Sequence, residues 1–226
     1  MTAPRIALIH ATALAVDPVN QAFDRLWPQA LRMNLLDDSL SADLAREGRL
    51  SAVMIGRFER LALYARDCGC DGILFTCSAF GPAIEAAGRA CGLPTLKPNE
   101  AMFVQALALG GRAALVATFE PSIAPMRAEF EALQRAAGHG AALQTLFVPG
   151  AMQQLAAGDG AAHDAAVAQA VAAGDTAEVV MLAQFSMARA AAAVQARTRA
   201  AVLTSPDCAV LALQRALLPS VPAPAP

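Results

Sequence analysis

The chain has 226 residues, 56% of them hydrophobic and 16% charged, with a formal net charge of −2. That length and apolar content suit one or two packed domains and rule out a disordered chain. No clustered basic run serves a nucleic acid or membrane surface, and no apolar stretch reaches the ~18–20 residues of a membrane helix, so neither is expected as a partner.

In chain order, "RIALIHA" (residues 5–11) reads as the first buried strand. The apolar N-terminus lacks the charged head and small-residue cleavage site of a secretory signal, so a cytoplasmic location is expected. "PVNQAFDRLW" has helical spacing, "LRMNLLD" is the next strand, and "LSAVMIGRFERLALYARDCG" is a long helix. "DGILFT" is a strand that runs into Cys77, and a helix is predicted to begin near Phe80 or Gly81, followed by the strand "LPTLK". The second half repeats the pattern with strands "RAALVAT", "LQTLFV", "EVVMLA" and "AAVLTS". Between them lie the helices "PSIAPMRAEFEALQRAAG", ending at Gly138, and "HDAAVAQAVAAG". The tail "PSVPAPAP" cannot be helical and reads as a loose end over residues 219–226.

The two halves align. "RIALIHAT" matches "RAALVAT" with one extra residue, "DGILFTCSA" matches "EVVMLAQFS", and "KPNEA" matches "SPDCA". Thr12 and Thr118 are 106 residues apart, Cys77 and Gln184 107, Pro98 and Pro206 108. Alternating strands and helices in each copy imply an α/β protein of two similar lobes, each a parallel sheet flanked by helices. The first lobe is predicted over residues 1–100 and the second over 101–204, with 205–218 packing at their junction. Ligands of open α/β sheets bind beyond the carboxyl ends of the strands. A pseudo-twofold axis would then bring Thr12, Cys77, Thr118 and Gln184 to one cleft between the lobes.

The five cysteines, Cys68, Cys70, Cys77, Cys91 and Cys208, form no C-x-x-C pair, and His10, His139 and His163 are scattered, so no metal site is expected. An odd number of cysteines without a secretory signal fits a reducing compartment. Cys77 stands between a strand and a helix, where backbone N–H groups favour a thiolate, and Thr76 and Ser78 flank it with hydroxyls. The competing reading is an inert buried thiol. Cys68, Cys70 and Cys91 lie at helix ends and turns and read as structural; Cys208, at the start of the last helix and opposite Glu100 in the duplication, stays a candidate for the site.

The corner "LFTCSAFGP", with "LPTLKPNEAM", "LVATFEPS" and "VVMLAQFSMA", resembles the aspartate/glutamate racemase superfamily over the chain to about Leu218. That superfamily includes aspartate, glutamate and hydantoin racemases, maleate isomerase and arylmalonate decarboxylase. The resemblance implies catalysis without a cofactor on a small carboxylate or related C–H acid, and a homodimer. In the racemases two cysteines face each other across the acidic carbon. Cys77 matches the first, while the second position holds Gln184, which cannot act as an acid or base near neutral pH. Neither of the two nearest branches fits fully: the decarboxylase keeps its one thiol on the other lobe, and maleate isomerase keeps both.

Three readings follow from the resemblance and its departure. The first is a racemase-like isomerase using Cys77 as acid/base or nucleophile. The second is a one-cysteine decarboxylase or lyase. The third is a ligand-binding protein on a scaffold that lost its second thiol; against a periplasmic-type binding protein stands the N-terminus without a secretory signal. Glu120 and Cys208 are candidates to replace the missing thiol, and Glu100 is expected near the cleft. Thr12, Ser78, Ala79, Thr118 and Ser186 are expected to hold the carboxylate, with helix capping as the alternative for each hydroxyl. Phe119 and Phe185, with Phe80 and Met187, would line an apolar wall or belong to the core. His10 reads as a core hydrogen-bonder or as a residue that reaches the substrate cleft, and Lys97 as an anion partner or a solvated charge. Arg57 and Arg60 are expected at the surface, in a subunit contact, or on a route to the cleft.

Overall fold

In the computed structural model, residues 3–138, 141–174 and 177–218 are described. His139 and the proline-rich tail lie outside them. The chain divides into two compact units: one holds residues up to 76, 80–97 and those from 209 on; the other holds 77–79 and 98–208.

The first unit contains β1 (Arg5–His10), α1 (Val16–Leu26), β2 (Leu31–Leu36), α2 (Ser39–Glu47), α3 (Ala52–Asp67), β3 (Gly72–Phe75), α4 (Gly81–Cys91) and the two-residue β4 (Thr95–Leu96). Its strands are all parallel, in the order β2-β1-β3-β4. The central strands β1 and β3 are almost wholly buried and read as continuous apolar runs, as strands covered on both faces do. β2 at the edge alternates between exposed and half-buried positions.

The second unit contains α5 (Glu100–Leu109), β5 (Arg112–Ala117), α6 (Ile123–Ala137), β6 (Ala142–Phe147), α7 (Ala151–Ala156), α8 (Gly160–Ala173), β7 (Val179–Leu182), α9 (Ala191–Gln195) and β8 (Ala201–Thr204). The order β6-β5-β7-β8 repeats that of the first sheet. Side chains of a strand alternate between faces, and the core divides accordingly. Ala113, Leu115, Ala117, Val179 and Met181 pack with Phe103, Met126 and Phe130 from α5 and α6. Ala114, Val116, Val180 and Leu182 pack with Val167, Val171 and Val194 from α8 and α9. The last helix, α10 (Ser205–Leu217), begins directly after β8.

Strand register revises the alignment of the copies. Ile9 pairs with Phe75 and Val116 with Leu182, so 9 goes to 116 and 75 to 182, a shift of 107 residues each time. Leu74–Leu96 and Met181–Leu203 keep the same shift. Cys77 therefore still corresponds to Gln184. Thr12 corresponds to Phe119, not Thr118, and the two aligned prolines are each displaced by one residue. The 3-10 turns after β1 and β5, Ala13–Ala15 and Glu120–Ser122, keep the same shift, so no extra residue separates the copies there.

Four helices escape a periodicity reading: α2, α7 and α9 span 9, 6 and 5 residues, too short for a stripe to declare itself, and α5, with 10, is apolar at most positions and shows no clear stripe. The strand boundaries agree with expectation to within a residue or two, and α6 ends at Gly138, whose φ of 71° is the left-handed cap that glycine adopts without strain.

Candidate active site

The first corner begins where β3 ends. Thr76 continues the ladder, its N–H donating to the Ile9 carbonyl at 3.0 Å. Cys77 follows, half-buried and outside any disulfide. The helix does not start at once. A 3-10 turn over Ser78–Phe80 intervenes, and α4 begins at Gly81 with Pro82 in its first turn. The amides nearest the thiol thus belong to the turn and not to the helix. Phe75 and Phe80, on either side of the loop, both pack on Phe58 of α3, with ring centroids 5.2 and 4.9 Å away. One aromatic side chain braces both ends of the segment that carries Cys77. Phe80 is completely buried, which places it in the core and not on a pocket wall.

His10 stands behind this corner, completely buried. Its Nδ1 lies 2.9 Å from Thr76 Oγ1 and its Nε2 3.0 Å from Asn34 Oδ1. Asn34 Oδ1 is an acceptor that also takes a bond from Asn20 Nδ2, so Nε2 carries the proton and Nδ1 accepts from Thr76. Burial pushes the imidazole pKa below its ordinary value, partly offset by the Asn34 bond. Both ring nitrogens are engaged inside the first unit, the arrangement of a core hydrogen-bonder.

The second corner has the same backbone plan. Ala183 N–H donates to Val116 O at 3.0 Å, matching Thr76 to Ile9. Gln184 is extended and leads into a 3-10 turn over Phe185–Ala190. Its side chain is tied down at both ends. Oε1 accepts from the Thr118 N–H at 3.0 Å and faces Thr118 Oγ1 at 3.4 Å, while Nε2 donates to Ser122 Oγ at 2.9 Å. Ser122 Oγ in turn donates to the Phe119 carbonyl at 2.7 Å. Thr118 and Ser122 are buried, 4% and 2% exposed. The Thr118 amide, expected to hold a carboxylate, is already satisfied by Gln184.

The remaining candidates sort by environment. Ser78 and Ala79 are half-buried beside Cys77. Thr12 caps its own 3-10 turn, accepting from Leu14 N–H at 3.4 Å. Phe119 is 43% exposed, and Glu120 is exposed in the first turn of the segment Glu120–Ser122. Phe185 and Met187 are buried, and Met187 belongs to the core packed on β5 and β7, so neither forms an open wall. Ser186 is buried as well. Lys97 pairs with Glu85 at 3.1 Å. Cys208 sits in the core with Phe103 and Phe130 and reaches Gln105 Oε1 at 3.3 Å, which makes it a packing residue. Arg57 is half-buried at the surface and pairs with Asp37 at 2.6 Å and Asp43 at 2.5 Å, inside the first unit. By their contacts, Cys77–Ala79 group with the unit that holds Thr118, Ser122 and Gln184; Thr12 and His10 group with the other.

Sequence reading missed Ser122, Asn99 and Ser205. Ser205 Oγ lies 2.6 Å from Asn99 Oδ1 and reaches the carbonyls of Leu182 and Ala183 at 3.2 and 3.3 Å. It holds the end of β7 just before Gln184. The "EPS" of the turn and the "TSP" after β8 are hydroxyl-bearing turn starts, a signal present in the sequence but shared with ordinary caps. Among the described residues no cluster of three or more His, Cys, Asp or Glu is gathered that could hold a metal. No described helix is long and apolar enough to cross a membrane.

A family model described as Asp/Glu/Hydantoin racemase matches residues 11–213. Unliganded arylmalonate decarboxylase aligns with a TM-score of 0.64 at 16% identity, over 96% of this chain and 94% of its own. Glutamate racemase isoform RacE1 from Bacillus anthracis gives 0.71 at 13% identity, over 96% and 82%. Allantoin racemase from Klebsiella pneumoniae gives 0.67 at 21% identity, over 94% and 86%. At these identities the structures speak to fold alone. No curated protein matches in sequence.

Proposed function

This chain belongs to the Asp/Glu/Hydantoin racemase family, and from that premise we propose that it is an enzyme acting without a cofactor on a small carboxylate or related C–H acid, with Cys77 as its acid/base or nucleophile. The observation that carries the reading is the asymmetry of the two corners. Where the strand register puts Cys77 in one copy it puts Gln184 in the other. Gln184 has no titratable proton near neutral pH, and its amide is bonded to Thr118 and Ser122.

A thiolate takes a proton from an acidic carbon if the carbanion formed is held by hydrogen-bond donors, or a thiol delivers one to an enolate left by loss of CO2. Cys77 supplies the sulfur. Of the two flanking hydroxyls Thr76 is engaged by His10, which leaves the Ser78 hydroxyl and the amides of the following turn as the donors next to Cys77 in sequence. With an amide at position 184, proton exchange occurs from one face only. A single-face reaction leaves configuration intact during exchange, or fixes the configuration of a decarboxylation product. The locked Gln184 favours this lyase reading over two-thiol racemisation.

The test is turnover in deuterated water with amino acids, hydantoins, cis-unsaturated diacids and substituted malonates. We expect deuterium incorporation, isomerisation or CO2 release with one class, reduced by at least about 10²-fold in Cys77→Ala. Turnover untouched by Cys77→Ala overturns the assignment. Tight binding of one acid with no turnover in the wild type marks the scaffold as a ligand-binding protein instead. In Gln184→Cys, exchange is expected to begin scrambling configuration.

A further inference from the structure

The turn Cys68-Gly69-Cys70 joins α3 to β3 and is built more closely than a connection requires. The Cys70 N–H donates to the Ala65 carbonyl at 3.1 Å and the Gly69 N–H to the Arg66 carbonyl at 2.8 Å. These are the two bonds of a Schellman ending, with Gly69 at φ 73° as its left-handed residue. A residue of helical curvature, of either hand, sets its neighbours' Cα atoms about 5.4 Å apart. Disulfides span Cα separations of roughly 4.4–6.8 Å. The helix ending thus holds the two cysteine backbones at bridging distance, and a glycine between them carries no side chain to obstruct the ring.

The two sulfurs differ in environment. Cys68 is half-buried and hydrogen-bonded by the Tyr64 hydroxyl, one turn earlier on α3. Cys70 is 5% exposed. Burial pushes the Cys70 thiol pKa up, the neighbouring Cys68 and Asp71 add to this, and the Arg5 guanidinium opposes it. Arg5 is anchored there by a 2.8 Å bond from Nη1 to the Cys68 carbonyl. An accessible sulfur, a buried one within electrostatic reach, and a fixed cation form the arrangement of an attacking and a resolving thiol.

We infer that Cys68 and Cys70 form a reversible thiol–disulfide couple, a modification site at the entrance to β3 that takes low-molecular-weight disulfides as oxidant. The Cys68 thiolate attacks one sulfur of RSSR, a Cys68–SR bond forms, and RS⁻ departs. Cys70 then loses its proton to solvent and attacks Cys68 Sγ, expelling the second RS⁻. Two protein thiols are oxidised and one RSSR is reduced to two RSH.

The test uses the full-length protein in buffers of increasing glutathione disulfide to glutathione ratio, quenched with acid, alkylated and mapped by mass. The expected wild-type product is a two-hydrogen loss confined to the peptide holding Cys68 and Cys70, reversed by dithiothreitol. Cys70→Ser is expected to retain a glutathione adduct at Cys68, and Cys68→Ser to lose the bridge with little reaction at Cys70. A wild type that carries only glutathione adducts on this turn, keeps both thiols at the most oxidising ratio, or bridges either to another cysteine overturns the inference. The wild-type map decides this by itself if a serine variant fails to fold. Digestion before Asp67 and Asp71 leaves Cys68 and Cys70 on one peptide and Cys77 on the next, so failure here leaves the catalytic assignment of Cys77 standing.

Discussion

Gln184 occupies the position that corresponds to Cys77, and its amide spans two buried hydroxyl residues. Truncation removes the acceptor of the Thr118 N–H without replacing it, and a buried donor left unpaired costs about 1–3 kcal/mol. Gln184→Ala is therefore expected to lower the urea unfolding free energy by about that amount, whatever it does to turnover. No change in stability would mean the amide is not held as described. His10 gives a prediction in pH. Its folded pKa lies below the unfolded value of about 6.5, so above that pH both states are neutral and the histidine adds no slope. As pH falls through 6.5 the unfolded chain takes up the proton first, and stability declines until the folded pKa is reached. His10→Gln is expected to flatten the urea midpoint against pH in that window, even if it lowers the midpoint throughout.

Among the elements, α3 matters most for the site. Phe58 packs on Phe75 before the Cys77 segment and on Phe80 after it. Phe58→Ala should cost about 3–5 kcal/mol, the range for a buried Phe. It should also raise hydrogen exchange at residues 76–80 more than at β1. Equal protection at both would mean that α3 does not brace the loop. The same helix carries Arg57, whose guanidinium ties α3 to Asp37 and Asp43 at and before α2. This ion pair explains how a helix too short to predict from periodicity is nonetheless anchored. Its legibility was poor because an arginine on an apolar helix looks the same in sequence whether it meets water or two carboxylates.

For the whole molecule, acid sensitivity follows from the same groups. Burial tends to raise the Asp37 pKa, but hydrogen bonds from Ser39 and Arg57 outweigh it and hold it below the usual value. Bonds from Arg57 and then Arg46 hold Asp43 down as well. A depressed carboxylate stabilises the fold above its unfolded pKa, near 4, and that stabilisation is lost as pH falls through the folded value. Stability should thus fall in two steps on acidification: one below about 6.5 from His10, and a second below about 4 that shrinks in Arg57→Met. A single step unaltered by both variants would contradict this.

Patterning along the chain was enough to foresee the sheets and their repetition. Buried parallel strands must be continuous apolar runs, and "RIALIH", "GILF", "RAALVA" and "VVML" can hardly be anything else. It also gave one corner a thiol and its counterpart an amide, because "DGILFTCSA" aligns with "EVVMLAQFS". What those side chains meet emerges only in the folded chain. The partners of Gln184 lie 62 and 66 residues away in the chain, and those of His10 24 and 66. No local pattern encodes such pairings, since a hydroxyl, amide or imidazole has the same propensities with or without a partner, and folding alone brings the partners within hydrogen-bonding distance.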